Sequence, residues 1–117
     1  MPIAPMIPSG STSGRCILVV AVATPGTLLH TAVAGADDMD EVYIYVSNAD
    51  TVERDVTLEL GGVTSPGDTI TKTIQPLDGE LLMVPGRRFN GGVVLRAFGS
   101  AASVLTASLT VNRYTAP

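Results

Sequence analysis

Few side chains in these 117 residues could do chemistry, and their spacing limits what that chemistry would be. His30 is the sole histidine and Cys16 the sole cysteine. A nucleophilic triad would have to be assembled around His30, which sits in TLLHTAV on an expected strand, and no Gly-x-Ser-x-Gly elbow is present to offer a serine. The serine of Gly99-Ser100-Ala101 reads as part of a turn. A single cysteine forms neither an intrachain disulfide nor a cysteine-based zinc site, and it fits a reducing compartment. The run Asp37-Asp38-Met39-Asp40-Glu41 places four carboxylates in five residues, a set of oxygens that calcium could use. The alternating Asp positions and central Gly of an EF-hand loop are missing, so the run reads as a solvated connection before a strand starting at 41. Phosphate-binding and dinucleotide fingerprints are absent as well. No catalytic residue, cofactor, metal or small-molecule substrate is expected.

Charge narrows the partners. Eleven acids against seven bases give a net charge of −4, and the six arginines are scattered from Arg15 to Arg113. A nucleic-acid surface needs clustered cations to release counterions from phosphates, so none is expected here. The one basic doublet, Arg87-Arg88, reads as an exposed loop or as a contact for an acidic surface, whose carboxylates match the planar donors of guanidinium.

The elements that must position these groups are strands. The chain holds 14 Val, 13 Thr and 6 Ile, all stiff at χ1 and suited to a pleated surface, with Gly and Pro punctuating them throughout. Alternation and turn signals give eight strands, at 16–23, 27–34, 41–48, 54–61, 69–75, 80–84, 92–98 and 104–113. Thr24-Pro25-Gly26-Thr27, Ser65-Pro66-Gly67-Asp68 and Val84-Pro85-Gly86-Arg87 each place Pro at the second and Gly at the third position of a type II turn. Asn90-Gly91-Gly92 supplies a further turn with positive φ. The expected fold is all-β, a single β-sandwich or jelly-roll-like domain over residues 15–117.

Within it, Val42, Ile44 and Val46 face one way and Tyr43, Tyr45 and Ser47 the other, as do Val56, Leu58 and Leu60 against Thr57 and Glu59. Tyr43 and Tyr45 are candidates for a subunit interface, where tyrosine is enriched. Lys72 shares a face with Ile70 and Ile74, which places 69–75 at a sheet edge guarded against stray pairing. The apolar run CILVVAVA looks like the core of a secretory signal, but the 14 residues before Arg15 carry no Lys or Arg, and eight residues cannot span a bilayer, which takes ~20. A buried strand is expected there, and no membrane association.

Residues 1–14, MPIAPMIPSGSTSG, differ from the rest. Three prolines exclude helix and favour an extended arm, and Ile3, Met6 and Ile7 give it apolar groups that a free linker has little use for. An ordered arm of this kind lies on its own domain or on a neighbour, and the expectation is a neighbour.

The succession EVYIYVSNAD, VTLELGG, DTITKTI, GELLMVPGRRFNGGVVLRAF and VLTASLTVNRY resembles small structural proteins of tailed-bacteriophage heads, in particular the capsid decoration or cement proteins. The likeness spans about the last 80 residues and lies in strand order and turn motifs. It implies a β-sandwich on the outer surface of the virion capsid, commonly a homotrimer, that clamps neighbouring copies of the major capsid protein and reaches them with a terminal arm. On that implication Ile3, Met6, Ile7, Arg15, Arg87 and Arg88 are the candidate capsid contacts. A head–tail connector or tail-associated protein shares the composition and fold class and is the alternative. A carbohydrate-binding sandwich would need aromatic platforms for sugar rings, and this chain has no Trp, three Tyr and two Phe.

Overall fold

The structure is a computed structural model that describes residues 2–116, so Met1 and Pro117, the outer ends of the two expected segments, lie outside the described residues. Among the described residues nine strands form two antiparallel sheets: β1 Ile3–Met6, β2 Ile17–Val19, β3 Thr27–Thr31, β4 Met39–Asn48, β5 Arg54–Leu60, β6 Thr69–Ile74, β7 Leu81–Phe89, β8 Val94–Gly99 and β9 Leu105–Tyr114. In the first sheet β9 lies between β4 and an edge shared by β1 and β2, and β7 forms the far edge. The second sheet runs β3-β8-β5-β6.

The last eight strands pair from the outside inward, β2 with β9, β3 with β8, β4 with β7 and β5 with β6. They amount to one long antiparallel hairpin, rolled so that successive pairs fall alternately in the two sheets. The β4–β9 and β5–β8 ladders close the roll. This is the jelly-roll arrangement, and the all-β expectation holds.

The core follows from period-two alternation. Along β4 every second residue, from Asp40 to Asn48, is buried. Val42, Ile44 and Val46 meet Val56 and Leu58 of β5, Leu95 and Ala97 of β8, and Leu29 of β3 in a single cluster completed by Ile17, Val19, Leu105, Ala107 and Val111. Each fully buried aliphatic side chain contributes about 1.5–3 kcal/mol, so this two-sided cluster dominates stability.

Three expectations are corrected. Residues 1–14 do not lie apart as an arm on a neighbour: Ile3–Met6 forms a short strand antiparallel to the C-terminal part of β9, with Ile3 opposite Tyr114 and Met6 opposite Val111. Prolines are tolerated there because the strand is at an edge, where one row of donors has no partner to serve. β1 and β2 are two pieces of one edge strand along β9, interrupted by residues 7–16.

Val84-Pro85-Gly86-Arg87 is no turn. β7 runs straight through it, with register shifts against β4 between Val42 and Tyr43 and between Ile44 and Tyr45. Pro85 is admitted because β7 is an edge strand, and Gly86, at φ 85°, supplies the left-handed residue of a bulge. Its missing side chain makes room for the ring of Tyr43, which a Cβ would meet at 3.0 Å.

The other two Pro-Gly pairs do turn the chain, but Gly26 and Gly67 have no positive φ, so neither turn is type II. Gly26 is glycine because the Ala97 backbone passes within 2.5 Å of where a Cβ would stand. Gly91 and Gly92 both adopt positive φ, as Asn90-Gly91-Gly92 suggests.

Lys72 lies on β6 at the sheet edge, opposite the buried Val56, with its own side chain exposed.

Candidate functional site

The chemistry-bearing residues converge at one place, between the two sheets. β3 carries a bulge: Leu28 pairs with Arg96 and His30 with Leu95, leaving Leu29 as the extra residue. Strict alternation would send Leu29 inward and His30 outward, whereas the bulge buries both. His30 then faces Asp40, which the alternation of β4 also turns inward, and the two are fully buried.

The hydrogen bonds fix the imidazole. The backbone N–H of Ser9 donates to His30 Nδ1 at 3.0 Å, so Nδ1 is an acceptor and the ring proton sits on Nε2, which donates to Asp40 Oδ2 at 2.8 Å. Arg113, paired with Asp40 across the β4–β9 ladder, donates through Nε to Oδ1 at 2.7 Å and through Nη2 to Oδ2 at 3.0 Å. The Val33 N–H adds a fourth bond at 3.1 Å. Burial raises the Asp40 carboxyl, but the hydrogen bonds from Arg113 and His30 and the charge of Arg113 outweigh it, and its pKa lies below the ordinary value of 3.8. The same pairing raises the Arg113 pKa.

Ser9, His30 and Asp40 have the residue types of a catalytic triad in a different working arrangement. Ser9 Oγ stands 3.4 Å from Nδ1, the single lone pair of which already receives the Ser9 backbone N–H. The hydroxyl oxygen accepts the Thr31 N–H at 2.7 Å. In this geometry His30 has no site for the serine proton, and a general base needs one. What the arrangement does is fasten residues 7–16. Leaving the β1 edge, this excursion crosses to the other sheet, where the Gly10 N–H donates to Leu29 O at 2.9 Å. Gly10 packs so closely that a Cβ would stand 2.5 Å from the Leu28 and Leu29 carbonyl oxygens. Two internal turn bonds, Ser11 N–H to Pro8 O and Arg15 N–H to Thr12 O, shape the rest. The excursion thus straps the open side of the sandwich, and its buried end is held by the His30–Asp40–Arg113 chain.

The remaining candidates disperse. Of the acidic run, Asp37 is exposed, Asp38 accepts from the Ala116 N–H, Asp40 is buried, and Glu41 lies on the opposite face of β4 beside Arg88 and Tyr114. No three His, Cys, Asp or Glu side chains among the described residues gather as a metal set. A second buried acid, Glu59, which alternation marked as outward-facing, is covered by the β2–β3 connection: Thr24 Oγ1 and the Gly26 N–H both donate to it, and Arg96 donates to Gly26 O at 3.2 Å.

Ile3 and Ile7 are exposed by 56 % and 55 %, whereas Met6 turns inward and packs against the core of its own domain. Arg15 is exposed on the excursion. Because β7 is a strand at Arg87-Arg88, the doublet splits. Arg87 opposes Val42 at the β6–β7 side of the sandwich, beside a depression of about 230 Å3 that also includes Leu60, Asp68 and Ile70. Arg88 opposes Glu41 on the outer face, 3.6 Å from its carboxylate and 5.0 Å from the Tyr114 ring centroid.

Tyr43 and Tyr45 lie half-buried on that same outer face, among Thr106, Ser108, Thr110 and Asn112 of β9. At its lower end Cys16 Sγ lies 3.0 Å from Ser108 Oγ, which donates to Glu80 at 3.0 Å. A shallow depression of about 320 Å3 at one end of the sandwich is lined by Gly61, Gly62, Val63, Gly92, Val93, Val94 and Arg96 and contains no acid–base pair.

No protein-family model matches the chain, and no curated protein matches it.

Proposed function

We propose that this chain is a non-enzymatic structural protein of a tailed-phage head, which binds the outer capsid surface and stabilises contacts between major capsid subunits. The observation that carries the proposal is the strap at residues 7–16: it presents Ile7 and Arg15 to solvent while its inner side is fixed to both sheets by Ser9, Gly10 and the buried His30–Asp40–Arg113 chain. The most elaborate polar network in the molecule therefore serves to hold a surface segment still. A contact element fixed before binding avoids most of the ordering cost that a free arm would incur. A ligand that binds across a seam present only in the assembled shell stabilises that shell by mass action. The resemblance to decoration proteins in strand order supports the same reading.

The test is co-sedimentation of the purified chain with undecorated heads of the phage that encodes it. Ile7→Ser and Arg15→Glu are each expected to lower head affinity on the order of tenfold or more, in line with ~1.5–3 kcal/mol for one buried aliphatic group, while the melting temperature stays unchanged. Failure of the unaltered chain to bind such heads overturns the proposal. Binding confined to a single vertex would instead assign the chain to the head–tail junction.

A further inference from the structure

We propose that the outer face of the β1/β2–β9–β4–β7 sheet is a two-fold interface with a second copy of this chain, its axis crossing the strands at Tyr43 and Thr110. This goes beyond capsid docking and is independent of it, because docking uses Ile7 and Arg15.

The two sheets treat their outer faces differently. On the β3-β8-β5-β6 sheet the β2–β3 connection is bonded down onto Glu59 and Arg96. On the other sheet no strand packs outside, among the described residues, and the face is left with tyrosines, hydroxyls, the exposed Ile3, Leu18 and Leu82, one cation, Arg88, and two carboxylates, Glu41 and the reaching Glu80.

Ladder registers place these groups in levels along β9. Ile3 is level with Tyr114, Glu41 with Asn112, Tyr43 with Thr110, Tyr45 with Ser108, and Leu18 with Thr106. Arg88 opposes Glu41, and the Glu80 carboxylate reaches Ser108.

A two-fold axis lying in the face and crossing the strands at Tyr43 and Thr110 exchanges levels symmetrically about that line. It brings Ile3 of one copy over Leu18 of the other, two apolar groups exposed by 56 % and 46 %. It brings Arg88, together with the Glu41 it pairs in its own chain, to the level of Tyr45 and the Glu80 carboxylate of the second copy, so that the cation is shared between two carboxylates. It places Tyr43 against its own symmetry mate. Each off-axis contact occurs twice, as an isologous interface requires, and the two carboxylates that come to one level, Glu41 of one copy and Glu80 of the other, have the Arg88 cation beside them.

Strand spacing and rise give the face an area of about 600 Å2, hence about 1,200 Å2 in a pair, at the lower end of specific interfaces. Its mixture of Tyr, Arg and hydroxyl groups suits a reversible interface rather than an obligate one.

The experiment uses sedimentation equilibrium and disulfide trapping on the full chain. The unaltered protein is expected to dimerise at micromolar concentration, at twice the chain mass of 12.1 kDa. Arg88→Glu is expected to weaken the dimer about tenfold or more, and Thr71→Glu, an exposed site on the other sheet, to leave it unchanged. In a Cys16→Ser background, Thr110→Cys is expected to form a disulfide-linked dimer on mild oxidation, because the residue sits beside its own mate on the axis, while Thr71→Cys stays monomeric. A chain that remains monomeric, one that forms the trimer implied by the decoration-protein resemblance, or equal cross-linking from positions 71 and 110 overturns the proposal.

Discussion

At the scale of single residues, Asp40 has the most consequences. It receives four hydrogen bonds from three residues, and removing it would leave the Arg113 cation, the His30 Nε2–H and the Val33 N–H without their acceptor. Breaking one side of a buried ionic arrangement costs about 3–5 kcal/mol, so Asp40→Ala is expected to lower unfolding stability by about that amount in urea titrations. A smaller loss, near that of an exposed pair, would show that water replaces the carboxylate. Asp40 also sets an acid limit. Its folded-state pKa is depressed, so its contribution is fully present above the unfolded value near 3.8 and is lost as pH falls through the lower folded value. Melts from pH 6 to pH 2 should show stability falling below about pH 4, with a smaller fall in Asp40→Asn. Asp50, also lowered, first by the Thr51 N–H and then by Arg54, is solvent-facing and adds little. None of this network was legible beforehand. His30 and Asp40 are joined by no motif spacing, Ser9 lies in a segment that reads as an arm, and the bulge that turns His30 inward leaves no mark in TLLHT.

At the scale of elements, the strands that alternate cleanly were legible and those that end in Pro-Gly were not. β4 and β5 fall where the alternation of VYIYVSN and VTLEL puts them, because two buried faces meet there and register is strongly specified. Val84-Pro85-Gly86-Arg87 has the residues of a turn, yet at an edge the missing Pro donor costs nothing and the positive φ of Gly86 fits a bulge, so local turn preference loses to the ladder with β4. Pro5 misleads for the same reason, since the β1 edge along β9 admits it. Edge protection was legible at β6. Lys72 opposes Val56 on the core-facing side but keeps its ammonium in solvent, so Lys72→Val completes an apolar β-branched ribbon with Ile70 and Ile74 on an unpaired edge. The expected outcome is increased turbidity on heating or at high concentration, with a change in unfolding free energy within about 0.5 kcal/mol, as for most surface substitutions. Unchanged solubility would mean that the edge is covered.

At the scale of the whole molecule, the rolled hairpin leaves an open side between β2 and β3, and the strap closes it. The amino-terminal segment therefore divides into two parts with different physical roles. β1 adds four ladder positions and the partly buried Met6, while residues 7–16 carry the Ser9 and Gly10 bonds to β3 and the buried Pro8. A chain begun at residue 7 loses only the first part and is expected to be destabilised by about 1–2 kcal/mol, the scale of one half-buried side chain and a few exposed edge bonds. A chain begun at residue 16 also leaves His30 Nδ1 facing the interior without its donor, which adds about 1–3 kcal/mol. Denaturant midpoints of the two truncations against the full chain measure the difference, and amide exchange at Thr31 and Val33 locates it. If the strap were a passive cover, the second truncation would melt with the first and those amides would keep their protection. The larger loss would instead establish that the surface segment and the buried histidine form one unit. Capsid docking would then have to be tested by point substitutions on the strap's outer side and not by removing it.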